Sequence, residues 1–286
     1  MEPRNTATLL IDCPDRKGLV AAIAEFLYSH GANILHADQH QDNELALFFM
    51  RVEWEMADFD LPQGRFEAEF EPLAARFHMN WKVRYSAHLP RVAVFVSRER
   101  HCLLDLLHRW QIGELRCEIP LIVGNHEDAR PLAEFYGLPF HHIPVTPETR
   151  EVAERRQLEL LRANGVELVV LARYMQILSP QFVASYPNGI INVHHSFLPA
   201  FSGARPYHAA YQRGVKLIGA TSHYVTAELD CGPIIEQDVA RISHRYELAD
   251  LKEKGRDLER VVLSRAVRWS LENRILVYGN KTVVFD

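Results

Sequence analysis

Apolar positions occur in short groups whose spacing changes along the chain. Thr6 to Cys13 is a β-rich run that ends at Pro14-Asp15. Leu19, Val20, Ile23, Phe26 and Leu27 then recur with a period of about 3.6 residues, which predicts a helix, with Asp15 able to cap it and Gly31 at its stop. Asn33 to Asp42 and Glu44 to Glu55 predict two strands around a turn at Asp42-Asn43. Phe66, Phe70, Leu73 and Phe77 share one face of a second helix over Gln63 to Phe77, and Asn80 to Tyr85 is a last strand. The order βαββαβ, with helices on one side of an antiparallel sheet, predicts a ferredoxin-like unit over residues 1–85.

Ser86-Ala87-His88-Leu89-Pro90 is a polar, proline-ended break that predicts a linker over 86–90. Beyond it the rhythm changes. Val92 to Val96 is continuously apolar, as a strand buried on both faces must be. Glu118 to Val123, Phe140 to Ile143, Leu168 to Ala172 and Ile190 to Val193 predict further short strands. Helices are expected at Cys102 to Trp110, Arg130 to Tyr136, Thr149 to Asn164 and Pro180 to Ser185, with a long closing helix over Glu247 to Asn273. A hairpin over Ile275 to Phe285 turns at Gly279-Asn280. This alternation predicts an α/β, Rossmann-like, doubly wound parallel sheet over residues 91–286.

Composition narrows the field. The 286 residues fit about two domains. With 48% hydrophobic and 24% charged residues, cores are affordable and the class is globular. A net charge of −5 argues against a nucleic-acid arm or a polybasic membrane patch. No apolar run approaches the ~18 residues of a membrane span, and the N-terminus does not read as a secretory signal. Four scattered cysteines without a CxxC predict a reduced, cytoplasmic protein rather than a disulfide or zinc scaffold.

In open α/β sheets, ligands sit beyond the carboxyl ends of the strands. Two segments qualify: Arg173-Tyr-Met-Gln-Ile-Leu-Ser-Pro180 and Asn192-Val-His-His-Ser-Phe-Leu-Pro199. Asn192 and His194 are two apart, so at a strand end both leave on one face, where an amide beside an imidazole could stabilise an oxyanion. Spacing alone favours the reading of both as loop-capping groups. Asp230, before Cys-Gly-Pro233, is either a fixed carboxylate or an ordinary turn former. A metal set of His194, His223 and Asp230 is a further option, though nothing resembles HExxH. There is no GxGxxG after the Val92 strand, no GxxxxGK[ST] and no GxSxG, so dinucleotide, triphosphate and nucleophilic-serine chemistry are unsupported.

Together these segments carry a resemblance. Asn192-Val-His-His-Ser-Phe-Leu-Pro199, followed at a distance by Leu229-Asp230-x-Gly-Pro233, resembles the signature of folate-dependent formyltransferases. Tyr174-Met-Gln-Ile-Leu-Ser-Pro180 is similar to that family's folate loop, and Gly219-Ala-Thr-Ser-His-Tyr-Val-Thr226 to the strand beside it. Asp15-Arg-Lys-Gly-Leu-Val20 and Gly31-Ala-Asn-Ile34 resemble an ACT domain, the small amino-acid-sensing module. The two in tandem resemble the formyltetrahydrofolate deformylases.

The resemblance implies hydrolysis of 10-formyltetrahydrofolate to formate and tetrahydrofolate, in one-carbon and purine metabolism, with formyl transfer to an amine as the alternative. A sensor with a degenerate second domain is a third reading, opposed by the intact Asn192, His194 and Asp230. Ser97-Arg-Glu-Arg-His-Cys102 lacks the glycines with which a transformylase cradles its acceptor's phosphate, which favours water as the second substrate. By this resemblance Asn192, His194 and Asp230 are catalytic. Met175, Gln176, Ile177, Leu178, His223, Val225, Thr226, Ala227 and Glu228 then bind the folate, and Asp15, Gly18, Gly31 and Asn33 an amino-acid effector. No cofactor, metal, nucleic acid or membrane is implied, and a homo-oligomer is expected. Ala227 and Cys231 replace acidic residues more usual in the family, and His195 stands where the transformylase commonly has proline.

Overall fold

A computed structural model describes residues 5–199 and 206–285. In the alternative of formyl transfer to an amine, the acceptor pocket is expected near Ser97 to Leu103 and near Pro199 to Pro206, and the second of these segments lies mostly outside the described residues. The chain divides into two compact units. The first comprises the residues up to Leu89 together with Asn273–Tyr278 and the segment from Val283. The second comprises Pro90–Glu272 and Gly279–Thr282.

In the first unit, β1 (Thr6–Pro14), β2 (Asn33–Asp42), β3 (Leu47–Glu55) and β4 (Asn80–Tyr85) form an antiparallel sheet in the order β2-β3-β1-β4. With α1 (Leu19–Ser29) and α2 (Gln63–Phe77), this is the ferredoxin-like arrangement. Leu9, Ile11, Phe48, Met50, Val52 and Trp54 pack on Ile23, Leu27, Phe66 and Phe70 of the helices. The alternate residues Leu10 and Phe49 pack on Leu276 and Phe285 of the C-terminal segment instead. Both faces of these strands are thus covered, which is why their sequence reads as a continuous apolar run. Asp15 does not cap α1. The N-cap is Gly18, in a left-handed conformation (φ 93°) without a side-chain bond, while the Asp15 carboxylate accepts from Gln41 Nε2 at 2.5 Å.

The second unit contains a seven-stranded sheet. Its strands are β5 (Arg91–Val96), β6 (Glu118–Gly124), β7 (Phe140–His142), β8 (Leu168–Ala172), β9 (Ile190–His194), β10 (Leu217–Tyr224) and β11 (Ile234–Arg241), in the order β11-β10-β9-β8-β5-β6-β7. The first five in sequence are parallel and wind outward from β5 in both directions, so the topological switch lies between β5 and β8. The expected doubly wound parallel sheet is extended at one edge by β10 and β11, which run antiparallel to their neighbours. The Gly-Pro turn between them makes a hairpin, and a hairpin can only pair antiparallel.

Ala93, Phe95, Leu121, Val123, Val169 and Leu171 pack with residues of α5 (Arg150–Ala163) and α6 (Pro180–Ala184). The long α8 (Leu248–Leu271) lies against β9, β10 and β11, beside α3 (His101–Gln111) and α7 (Pro206–Arg213). The remaining helix, α4, is short (Arg130–Phe135), and a final hairpin pairs β12 (Ile275–Tyr278) with β13 (Lys281–Val284). Glu247 starts α8 with a capping box closed by Asp250. No described helix is long and apolar enough to cross a membrane.

Candidate active site

Beyond the carboxyl ends of β8 and β9 lies a cleft of about 290 Å3. Asn192, His194 and Asp230 all line it, as do Met175, Gln176, Ile177, Leu178, His223, Val225, Thr226 and Ala227. Glu228, the remaining expected folate residue, is exposed and outside the lining, although its carbonyl accepts from Thr226 Oγ1 at 3.0 Å. Met175, Ile177 and Leu229 are more than half exposed and form an apolar lip. Tyr174 is buried instead, edge-on to Phe95, and burial pushes its phenol up to about 12.

Two sets of bonds hold the loop after β8. Arg150, Glu154 and Gln157 lie three and four apart on α5 and therefore share one face. Arg150 donates to the Ile177 carbonyl, Glu154 accepts from the Ser179 amide at 2.9 Å, and Gln157 donates to Tyr174 Oη at 3.0 Å. On the other side, Ser97 Oγ accepts from the Met175 amide at 2.9 Å and donates to Asn125 Oδ1 at 2.7 Å, across the switch point. The backbone of 175–178 is thus presented to the cleft by a fixed frame.

The catalytic candidates converge. His194 Nδ1 is 3.3 Å from Asp230 Oδ2, and His223 Nε2 is 3.7 Å from Asp230 Oδ1. The hydrogen bond from His194 holds the Asp230 carboxyl below its ordinary value, outweighing burial, so it remains an anion. His194 Nε2 is buried without a partner among the described residues, as befits a group that meets a substrate.

Tautomer logic orients Asn192. His223 Nδ1 lies 2.9 Å from the Tyr224 carbonyl, which can only accept, so Nδ1 carries the proton. Burial lowers the pKa of His223, so the ring is neutral and Nε2 is an acceptor. Asn192 Nδ2, 3.3 Å away, therefore donates to it. This fixes which end of the amide is the NH2 group and leaves its second N–H for a ligand. His223 is an orienting group, a role that its position on β10 opposite Asn192 on β9 permits.

The turn that carries Asp230 is tightly constrained. Asp230 is left-handed (φ 56°), and the Tyr224 amide donates to the Pro233 carbonyl at 2.9 Å. A Cβ on Gly232 would stand 1.8 Å from the Tyr224 carbonyl oxygen, so only glycine fits there.

Sequence reasoning missed a second cluster behind this one. Glu259 of α8 is 1% exposed, and its carboxylate meets His101 Nε2 at 2.7 Å, Tyr207 Oη at 2.7 Å and Arg173 Nε at 3.3 Å. Burial opposes its ionisation, but the bond from His101 and the charge of Arg173 hold it below its ordinary value. Arg173 Nη1 also meets His195 Nδ1 at 2.7 Å, and the His195 ring stacks on His194 at 4.9 Å. A Cβ on Gly255 would stand 2.0 Å from Tyr207 Oη, so this glycine makes room for the tyrosine. Donor atoms of His101, Cys102 and Glu259 lie within 4.8 Å of one another, a spacing open to a metal ion. Here the Arg173 guanidinium already supplies the positive charge, and burial holds the Cys102 thiol protonated.

The four effector candidates are not gathered in one place. Asp15 and Gly18 line a cleft of about 510 Å3 at the N-terminal end of α1, with Arg16, Gln39 and Gln41. Gly31 and Asn33 follow the other end of the helix. There Gly31 is left-handed (φ 74°), and a Cβ on it would stand 2.6 Å from the Asp58 carbonyl oxygen.

Comparison with known proteins gives this geometry a context. Residues 90–267 match the formyl transferase family and residues 7–53 the ACT domain family. A formyltetrahydrofolate deformylase of Synechocystis is 56% identical over 280 residues, covering 98% of each chain. One of Bacillus subtilis is 51% identical, covering 97% of this chain and 93% of its own. The crystal structure of a formyltetrahydrofolate deformylase from Pseudomonas syringae pv. tomato superposes with a TM-score of 0.98 at 49% identity, over 100% of this chain and 96% of the other. A glycinamide ribonucleotide transformylase from Symbiobacterium toebii matches 71% of this chain and 97% of its own, with a TM-score of 0.66 and 30% identity. The chain belongs to the formyltetrahydrofolate deformylase family.

Proposed function

We propose that the chain hydrolyses 10-formyltetrahydrofolate to formate and tetrahydrofolate by direct attack of water on the formyl carbon. The observation that carries the reading is the convergence of the Asp230 carboxylate, His194 and an oriented Asn192 amide in one cleft. The pterin lies between the 175–178 and 225–228 loops, whose backbones offer donors and acceptors to its polar edge, while Met175, Ile177 and Leu229 cover apolar surface. Asp230 takes a proton from the attacking water as the oxygen bonds to the formyl carbon. The carbonyl oxygen becomes an oxyanion that accepts from Asn192 Nδ2–H and from His194 Nε2–H. Asp230, against Nδ1, stabilises His194 when that ring carries its second proton. Collapse of the intermediate breaks the carbon–nitrogen bond, the proton that Asp230 took from water passes to the leaving nitrogen and restores the carboxylate, and formic acid departs and ionises to formate.

No step in this chemistry needs a cofactor. Purified protein given 10-formyltetrahydrofolate alone will release formate and tetrahydrofolate in equal amounts, at a rate that EDTA does not change. A strict requirement for an added amine, or loss of activity to chelator with recovery on zinc or iron, contradicts the proposal.

The ACT-like unit supports amino-acid control, with Asp15 and Gly18 in the cleft beside α1 as contacts. A small amino acid, methionine or glycine first, will change the rate or the thermal midpoint. A screen of all twenty that moves neither removes the sensing role. The free cysteines, of which Cys13, Cys102 and Cys117 are buried, support a reducing, cytoplasmic setting.

A further inference from the structure

His195 lines the reaction cleft but has no part in the chemistry above. A guanidinium has only donors, so Arg173 Nη1, 2.7 Å from His195 Nδ1, must find a lone pair there. The His195 proton is then on Nε2 and the ring is neutral. Its plane lies 21° from that of His194, with centroids 4.9 Å apart. A second positive charge at that distance would oppose the protonated form of His194 that oxyanion stabilisation uses.

Arg173 is itself held at some cost. It is the residue after β8, and its backbone is left-handed (φ 61°), a conformation unusual outside glycine. Its guanidinium is mostly buried, its Nε 3.3 Å from the fully buried Glu259 carboxylate. Glu259 is fixed in turn by His101 Nε2 and Tyr207 Oη, each at 2.7 Å. A chain of contacts therefore runs from α8 through Glu259, Arg173 and His195 to His194.

We propose that Arg173, anchored by Glu259, is a positioning residue for the reaction. It locks His195 as a neutral plate stacked on His194, so that only His194 and Asp230 change protonation in the cleft. This rests on the reading of His194 and Asp230 given above. The charged and titratable groups facing His195 among the described residues are Arg173 from the end of β8, His194 from β9, Glu259 from α8, Asp230 from the β10–β11 turn and Tyr207 from α7, its ring 6.0 Å away. Burial, Arg173 and His194 together push His195 down to about 4, with Glu259 and Asp230 pulling the other way.

The test is the pH profile of kcat in Arg173→Met. With the guanidinium gone, the His195 midpoint rises above its wild-type value of about 4, while burial and His194 still hold it below the ordinary histidine range. Below the new midpoint its charge suppresses protonated His194. The acid limb of kcat should steepen from one proton to two, and the loss relative to wild type should grow as the pH falls, from little at pH 8 to about fourfold by pH 5. KM for the folate should stay within about twofold, because the Arg173 side chain, although it lines the cleft, is bonded to His195 and Glu259 rather than to the groups that frame the folate loop. Arg173→Lys, which keeps a cation, should retain the one-proton limb, and Arg173→Met/His195→Gln should recover it. An Arg173→Met limb parallel to wild type, or a two-proton limb that persists in the double variant, overturns the proposal.

Nitrogen-15 NMR of imidazole-labelled wild-type protein tests the lock without any substitution at Arg173, with His195→Gln used only to assign the signal. His195 should show an unprotonated Nδ1 and no titration above pH 5. A protonated Nδ1 or a titration near pH 6.5 overturns the proposal. A locked His195 with an unaltered Arg173→Met profile rejects the positioning role and leaves the His194–Asp230 chemistry standing, whereas an active Asp230→Asn enzyme rejects that chemistry instead.

Discussion

Asp230→Asn will lower kcat by about 10³-fold or more while folate binding changes little. Asparagine keeps the size and much of the hydrogen bonding of aspartate, so the turn after β10 should survive. It loses the negative charge that His194 Nδ1 faces at 3.3 Å and the ability to take a proton from water. Both losses act on the transition state more than on the bound ground state, so the defect belongs in kcat rather than KM. Stopped-flow turnover paired with equilibrium binding of a non-hydrolysable folate measures the split. The hydrogen bond from His194 holds the carboxyl below its ordinary value, so it stays ionised to a lower pH than a free aspartate. The stability that its His194 bond contributes is present above the unfolded value and is lost as the pH falls through the folded one. An Asp230→Asn enzyme with wild-type turnover would remove this residue from the mechanism.

Gly232→Ala should be almost as damaging without touching any reacting group. Its Cβ would stand 1.8 Å from the Tyr224 carbonyl oxygen, a contact that no side-chain rotation can relieve because both partners are backbone. The turn must shift, and two things move with it. Asp230 is two residues away in the same turn, and the Tyr224 carbonyl fixes the His223 tautomer that orients Asn192. Misplacement of a catalytic group by about 1 Å can cost about 10²-fold, so kcat should fall by at least that much. Circular dichroism and thermal melting should show a folded protein with a reduced midpoint, since the rest of the β10–β11 hairpin is unaffected. Wild-type turnover in this variant would mean that the turn has slack that the packing does not reveal.

Much of this architecture was legible because the sequence is locally consistent. The period of 3.6 in Leu19, Ile23 and Leu27 and the apolar run Val92 to Val96 are direct consequences of which faces are covered. The pair Asn192 and His194 was legible because strand geometry puts alternate residues on one face. The edge strand β11 was not. Its sequence, Ile-Ile-Glu-Gln-Asp-Val-Ala-Arg, mixes charge with short apolar stretches, as an exposed edge can. Its direction follows from the loop of residues 225–233 that joins it to β10 as a hairpin, whose Gly-Pro the sequence offers only as a holder for Asp230.

The Glu259 cluster was hidden for a different reason. Its members come from three helices and from the residues that follow β8 and β9, and no local pattern links Arg173 to an acid on α8. One signal was available. Gly255, Glu259, Val262, Leu263 and Ala266 fall on a single face of α8, and a carboxylate within such a buried stripe needs a cationic partner. Arg173, directly after an apolar strand, was a candidate. His195 was visible as a departure from the transformylase pattern, but its role depends on which atom of Arg173 reaches it, and only coordinates supply that.

The most direct test of the account is a single turnover of 10-formyltetrahydrofolate in H2 18O without any amine. Attack by water on the formyl carbon predicts formate that carries one 18O atom, released together with tetrahydrofolate. Formate without the label, or no turnover until an amine is added and then a formamide in place of formate, would contradict it.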